Sequence, residues 1–217
     1  MGDIFREVDE ELKQERYEKL WRLYGKYIIG AAVLLVAAVA GWKAWQSHQT
    51  SQRLAEGERF AAGSELLLDG KSAEAYQVFA GISADTRSGY GILAKFYEAS
   101  IVAGGDDPAK SISIYDAIAA ESSAPPSLRD LAKILGALQG LRSSTIDSKI
   151  IADRVRPMSG AGKTYRHVAL EIMALAAMKS GATEVARGHY REIVDDPAAA
   201  RGIRTRAAQI LNILGES

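Results

Sequence analysis

The chain has 217 residues, and its 27 Lys and Arg balance 27 Asp and Glu, so its formal net charge is +0. A balanced surface gives no general pull toward nucleic acid, which needs excess positive charge to displace counterions from phosphates. With no Cys in the sequence, disulfides, thiolate zinc sites, Cys nucleophiles and lipid-modified Cys are excluded.

Ala and Leu are frequent, and alternating β-branched runs are few. The 5 Pro residues sit between apolar periodic stretches. This pattern predicts an all-α protein.

Residues 1–26 form the first segment. Ile4, Phe5, Val8, Leu12, Leu20, Leu23 and Tyr24 fall partly at helical spacing, with acidic and basic residues mixed on other faces. The segment reads as an amphipathic helix. It either contacts a partner or serves as a solvated lead-in to the apolar run after Lys26.

Next comes Tyr27 to Trp42, YIIGAAVLLVAAVAGW, with no charged residue inside it and Lys26 and Lys43 at its borders. As a helix it would be about 24 Å long at ~1.5 Å per residue, a little short of the ~30 Å hydrocarbon core of a bilayer. The flanks supply the difference: Trp21, Leu23 and Tyr24 on one side, Ala44 and Trp45 on the other. Trp and Tyr rings favour the interface because they are apolar with one polar tip, and Lys stems reach outward. The run predicts a transmembrane helix over residues 27–45, anchored by Trp21, Lys26, Trp42, Lys43 and Trp45. Arg6, Lys13, Arg16, Lys19, Arg22 and Lys26 precede it, whereas only Lys43, Arg53 and Arg59 come after it in a comparable window. The positive-inside rule then puts the N-terminus in the cytoplasm. A cleaved signal peptide is the competing reading, since Ala38 and Ala40 make an A-x-A pattern. The long leader, acidic as well as basic, argues against it.

Residues 46–217 repeat themselves. Ala75-x3-Phe79-x2-Ile82, Ser111-x3-Tyr115-x2-Ile118 and Ala186-x3-Tyr190-x2-Ile193 share one helical face, and Ser148-x3-Ala152-x2-Val155 reads as a degenerate copy. Twelve residues before each first position stand Gly63, Ala99, Gly136 and Ala174, spaced 36, 37 and 38 residues apart. Paired antiparallel helices that approach closely at small residues, with a bulky side chain filling toward the next pair, resemble the tetratricopeptide repeat. The sequence predicts about four such pairs in an α-solenoid, closed by a capping helix from Ala199 to Leu214. In that cap Ile203, Ala207, Ile210, Leu211 and Leu214 face inward. Turns fall at Asp69-Gly70-Lys71, at Gly104 to Pro108 and at Ser180-Gly181. First helices of stacked repeats line a groove, so the residue three before each small position should face it: Phe60, Phe96, Lys133 and Glu171. Two aromatics plus a charged pair suit an extended or helical peptide.

Pro157 to Thr164 ends like a phosphate-binding loop, Gly-Lys-Thr. Pro157 stands where Gly is required and has no N–H to cradle phosphate, and Ile150 to Val155 before it reads as helix rather than strand. His48, His167 and His189 show no metal-ligand spacing. The pairs Asp106-Asp107 and Asp195-Asp196 fall at turns, where Asp caps helices. Arg187, Arg191, Arg201, Arg204 and Arg206 form either a docking patch or a solvated face. No catalytic signature, cofactor or metal is expected.

Gly41-Trp42-Lys43-Ala44-Trp45-Gln46-Ser47-His48-Gln49 resembles the membrane-exit segment of the ancillary subunits of the Sec translocon. Tyr90-Gly91-x-Leu93-Ala94 resembles the start of that family's second repeat. The opening Asp3 to Leu12 looks like its alphaproteobacterial branch. The resemblance implies a single-span bacterial inner-membrane protein with a periplasmic repeat domain. It implies Sec translocon subunits, a periplasmic chaperone or membrane-anchored prolyl isomerase, unfolded exported polypeptides and the lipid bilayer as partners. The same architecture serves adaptors for envelope assembly or cell division.

Overall fold

The computed structural model describes residues 3–84, 89–105 and 107–215, with side chains described from residue 21 onward. The side chains of Ile4, Phe5, Val8, Leu12 and Leu20, which carry the predicted amphipathic face, lie outside the described residues, as does Asp106. Every regular element among the described residues is helical: α1 (Asp3–Leu68), α2 (Ser72–Ser83), α3 (Gly89–Ala103), α4 (Pro108–Ala120), α5 (Pro126–Arg142), α6 (Ser148–Val155), α7 (Arg166–Lys179), α8 (Thr183–Asp195) and α9 (Arg201–Leu214), with one 3-10 turn, Arg156–Met158. The chain divides into two units, Met1–Ala55 and Glu56–Ser217.

The first unit is the N-terminal part of α1. Tyr27, Ile28, Ile29, Val33, Leu34, Leu35, Val36 and Val39 point to every side of this helix, and all are exposed. A helix that is apolar all round has no stable face toward water. Its length and composition are those of a membrane span or signal anchor.

In the second unit, the end of α1 pairs with α2, α3 with α4, α5 with α6 and α7 with α8. Each pair closes at a small residue of its first helix. A Cβ on Gly63 would stand 3.0 Å from the Phe79 ring. Buried Ser111 sits against Ala99 and donates its hydroxyl to the Ala99 carbonyl at 2.9 Å. Ala174 and Ala186 are wholly buried in the last pair. The turns depend on glycine. Gly70 and Gly181 have φ of +75° and +78°, the left-handed conformation that ends a helix at little cost only for Gly. Lys71 N–H then reaches the Leu66 carbonyl at 2.8 Å, and Ala182 N–H reaches that of Ala177 at 2.9 Å.

The core is a chain of clusters rather than one centre. Phe79 and Ile82 bury Ala94 of the next pair. Tyr115 and Ile118 bury Ala132. Ile151, Val155 and Met158 bury Ala169, Ile172 and Met173. Tyr190 and Ile193 pack under α9, through buried Ala207 with Ile203, Ile210, Leu211 and Leu214 around it. α9 thus covers the fourth pair with the face that carries these five residues.

Cations also tie neighbouring pairs. Arg142 at the end of α5 donates to the Ala103 carbonyl at the end of α3, 3.4 Å away. Lys179 at the end of α7 donates to the Gly140 carbonyl of α5 at 3.1 Å, and also to the carbonyls of Ser143 and Ile146. Each positive charge sits where a helix leaves carbonyls without intrahelical partners.

The third pair departs from the predicted phase. Its buried second-helix residues are Ile151, Val155 and Met158, not Ser148 and Ala152, so the small-large-branched spacing has moved three residues along. The reason lies in the connection. Residues 143–147 form a longer turn, in which Ser143 bonds Thr145 at 2.9 Å and Asp147 caps α6. The close approach slides by a turn: a Cβ on Gly140 would meet Ile151 Cγ1 at 3.0 Å, while one on Gly136 would meet the Arg154 guanidinium. Ile151→Ala is expected to cost about 2–5 kcal/mol, and Ser148→Leu less than about 0.5 kcal/mol. Urea unfolding followed by circular dichroism measures both, and the opposite ranking would restore the sequence-derived phase.

Candidate interaction surface

The residues three before each small position are engaged separately. Phe60 on α1 is half-buried among Phe79, Tyr90 and Tyr97, with ring centroids 5.3, 5.5 and 5.2 Å away. Phe96 on α3 lies 6.1 Å from Tyr115. Lys133 on α5 pairs with Asp130 one turn earlier at 3.0 Å. Glu171 on α7 accepts both arms of Arg206 from α9, at 3.0 and 2.9 Å. Each of the four thus has its own partner inside the array, and these partners are four different groups.

Tyr97 and Leu93 are not predicted by the repeat register. They stand at i and i+4 on α3 and stay 37% and 40% exposed, although the turns beside them are buried. Tyr97 stacks on Phe79 at 4.7 Å and meets Phe60 edge-on. An aromatic ring fixed on two others gives contact area with little rotamer freedom left to lose. The signal was present: Tyr97 falls two before Ala99, on the side that meets the preceding pair.

At the other end, Asp196 is the centre of a clasp. Its carboxylate accepts from Arg166 and, at 2.9 Å, from His167 Nε2, both on α7. It also accepts from the backbone N–H of Ala198 at 2.9 Å. His167, then the Ala198 N–H, then the Arg166 charge hold the Asp196 carboxyl below its ordinary value. Arg166 also reaches Glu192 at 3.6 Å.

Of the predicted Arg cluster, Arg206 is tied to Glu171. Arg187 reaches Glu184 at 2.5 Å and the Leu214 carbonyl at 2.7 Å. Asp107 caps α4 through the Lys110 N–H at 2.9 Å. His48 shares a hydrogen bond with Gln52 at 3.1 Å. Among the described residues no three His, Asp or Glu side chains gather as a metal site. The loop from Pro157 to Thr164 comes after α6 and within and beyond a 3-10 turn, which is not the strand-to-loop geometry that cradles phosphate.

In the first unit, Trp21, Trp42 and Trp45 are all exposed. Trp42 and Trp45 lie 5.6 Å apart, and Lys26 Nζ sits 5.1 Å over the Tyr27 ring. Gly25 lies under the Trp21 indole, 3.3 Å from where its Cβ would be.

The family description of a tetratricopeptide repeat-like domain matches residues 18–139, more than half of the chain. The chain belongs to that family. No curated protein and no solved structure matches it. The matched residues include the exposed apolar helix, the first two pairs and most of α5. The later tetratricopeptide-like pairs carry the architecture on past residue 139. Tetratricopeptide repeat-like arrays present extended surfaces to protein partners, and the family is typical of adaptors rather than catalysts.

The Asp196 clasp has a defined pH signature. A carboxyl whose folded-state value is depressed adds stability above its unfolded value of about 3.9, and that stability is lost as pH falls through the folded value. Wild type should therefore exceed Asp196→Asn in thermal stability at neutral pH, and the gap should close below about pH 4. Melting curves from pH 7 downward measure the gap.

Proposed function

We propose that this chain is a single-span scaffold of the bacterial inner membrane that works beside the Sec translocon. In this reading residues 1–26 are cytoplasmic, residues 27–45 cross the bilayer and residues 46–217 form the periplasmic array. Trp21 and Lys26 mark one interface, and Trp42, Lys43 and Trp45 the other. The array holds emerging polypeptides and passes them to a periplasmic chaperone or a membrane-anchored prolyl isomerase. Phe60, Phe96, Lys133 and Glu171 border the surface that receives them, with Tyr97 and Leu93 supplying its exposed apolar contact.

The observation that carries this reading is one helix whose apolar residues are exposed on every side, in a chain whose other helices form a tetratricopeptide repeat-like array. Such an array has the makeup of a partner-holding device, and such a helix has the makeup of an anchor. The likeness of residues 41–49 and 90–94 to the ancillary translocon subunits supports the choice of partner. The excess of Lys and Arg before residue 27 supports the orientation.

Two measurements test it. Protease added to intact spheroplasts should degrade the chain beyond residue 46 and leave a protected N-terminal fragment. Purification in mild detergent should bring down translocon subunits together with a chaperone. An array that resists external protease, or a co-purifying set made only of cell-wall machinery, contradicts the proposal. Tyr97→Ala should reduce crosslinking to a translocating polypeptide at least threefold and leave helicity unchanged by circular dichroism.

A further inference from the structure

The three joints between successive pairs are not built alike on the side of the second helices. At the first joint, Lys110 Nζ of α4 lies over the Tyr76 ring of α2, 5.3 Å from its centroid. At the second, the Arg154 guanidinium of α6 donates to both carboxylate oxygens of Asp116 on α4, with Nη2 to Oδ2 at 3.1 Å. It crosses α5 at Gly136, where a Cβ would stand 3.0 Å from Nη1. A planar bidentate pair of this kind resists both sliding and rotation of the helices it joins. The third joint has no such bridge. Among the described residues, no hydrogen bond, ion pair or ring contact joins α6 to α8, and Lys149 and Arg156 both turn to Asp153 of α6 itself. Between the two helices lies an open cleft of about 440 Å³, with Ala152, Ala176 and Ala177 in its lining.

On the side of the first helices the third joint is closed. Ile134 and Ala137 of α5 share one buried cluster with Ala169, Ile172, Met173 and Ala176 of α7. Lys179 pins the end of α7 to the carbonyls of Gly140, Ser143 and Ile146. A joint that is packed on one side and empty on the other has a fulcrum. Beyond the fulcrum, the fourth pair is tied to its cap: Asp196 holds Arg166 and His167, Glu171 holds Arg206, and the Leu214 carbonyl accepts from Arg187. The connection that enters this body, residues 159–165, has seven residues outside the helices, against five in 121–125 and in 196–200. It contains Gly160 and Gly162, the latter at φ +76°, and residues 160–164 are exposed. This is the same Gly-Lys-Thr loop that lacks the geometry to cradle phosphate.

We propose that the joint between the third and fourth pairs is a hinge, about which α7, α8 and α9 swing as one body to open and close the α6–α8 cleft. Gly160 and Gly162 absorb the backbone rotation. The swing turns the face of α7 that carries Glu171 against the face of α5 that carries Lys133. The array thus changes curvature at its third joint and keeps it at the second. The Lys179 ties lie at the pivot and persist through the motion. The hinge belongs to the array alone, so its test stands apart from which membrane machinery the chain joins.

With no Cys in the sequence, nitroxide labels can be placed at introduced pairs and their distances read by double electron–electron resonance on the full chain in detergent micelles. Ile150→Cys with Gly188→Cys spans the third joint. Ala117→Cys with Ile150→Cys spans the second, and Gly188→Cys with Gly202→Cys stays within the moving body. All four positions are exposed. The first distance distribution should be at least twofold wider than the other two. Asp116→Ala, which removes the bridge of the second joint, should broaden the second distribution to match the first. Ala152→Tyr with Val185→Lys, which copies the bridge of the first joint, should narrow the first distribution to the width of the second. Equal widths across the second and third joints, or a third-joint width that the copied bridge leaves unchanged, overturn the proposal. Should that double variant lose helicity, Asp116→Ala decides, and no broadening overturns the proposal. A distribution within the moving body as wide as the first places the motion inside the fourth pair and also overturns it.

Discussion

A two-helix hairpin of this size leaves one apolar face uncovered, and each pair here covers the face of the pair before it. Ala94 lies on Phe79, Ala132 on Tyr115, Ile172 on Ile151, and Ala207 closes the run over Tyr190. Everything else in the array depends on that relay. The small residues at each crossing let the helices come close enough for one bulky side chain to serve both its own pair and the next. α9 is needed because the fourth pair has no successor among the described residues.

The periodic parts of this design could be read from sequence because they rest on local rules. Small residues at fixed offsets mark helix crossings, and Gly70 and Gly181 mark turns that only a positive φ allows. The uncharged run after Lys26 is equally local, since hydropathy needs no knowledge of neighbours. What escaped was set by connection length. Gly136 kept its place in the count, yet the five residues from Ser143 to Asp147 lengthened the turn and passed the contact to Gly140. Counting alone does not reveal which of two glycines on one helix face meets the opposite side chain.

The site residues show the same division. Phe60, Phe96, Lys133 and Glu171 were chosen by register, and register does place them on successive first helices. Register says nothing about side chains arriving from elsewhere. Arg206 comes to Glu171 from a helix 35 residues away, and Asp130 takes Lys133 within its own helix. Tyr97 emerged as the exposed ring because Phe60 and Phe79 support it from beneath, an arrangement involving three helices.

The cation ties between pairs carry a consequence for how the array comes apart. Arg142 and Lys179 each reach back 39 residues to carbonyls at the end of the preceding first helix. One carbonyl in the last turn of α5, that of Gly140, and two in the connection after it, those of Ser143 and Ile146, are therefore satisfied by α7. Peeling off the fourth pair would strip apolar cover from the third and, in the same event, leave three carbonyls facing whatever replaces the ammonium group. Fraying from the C-terminal end is thus opposed twice over, by lost burial and by orphaned backbone. The final two pairs should open together as a single cooperative block and not one hairpin at a time.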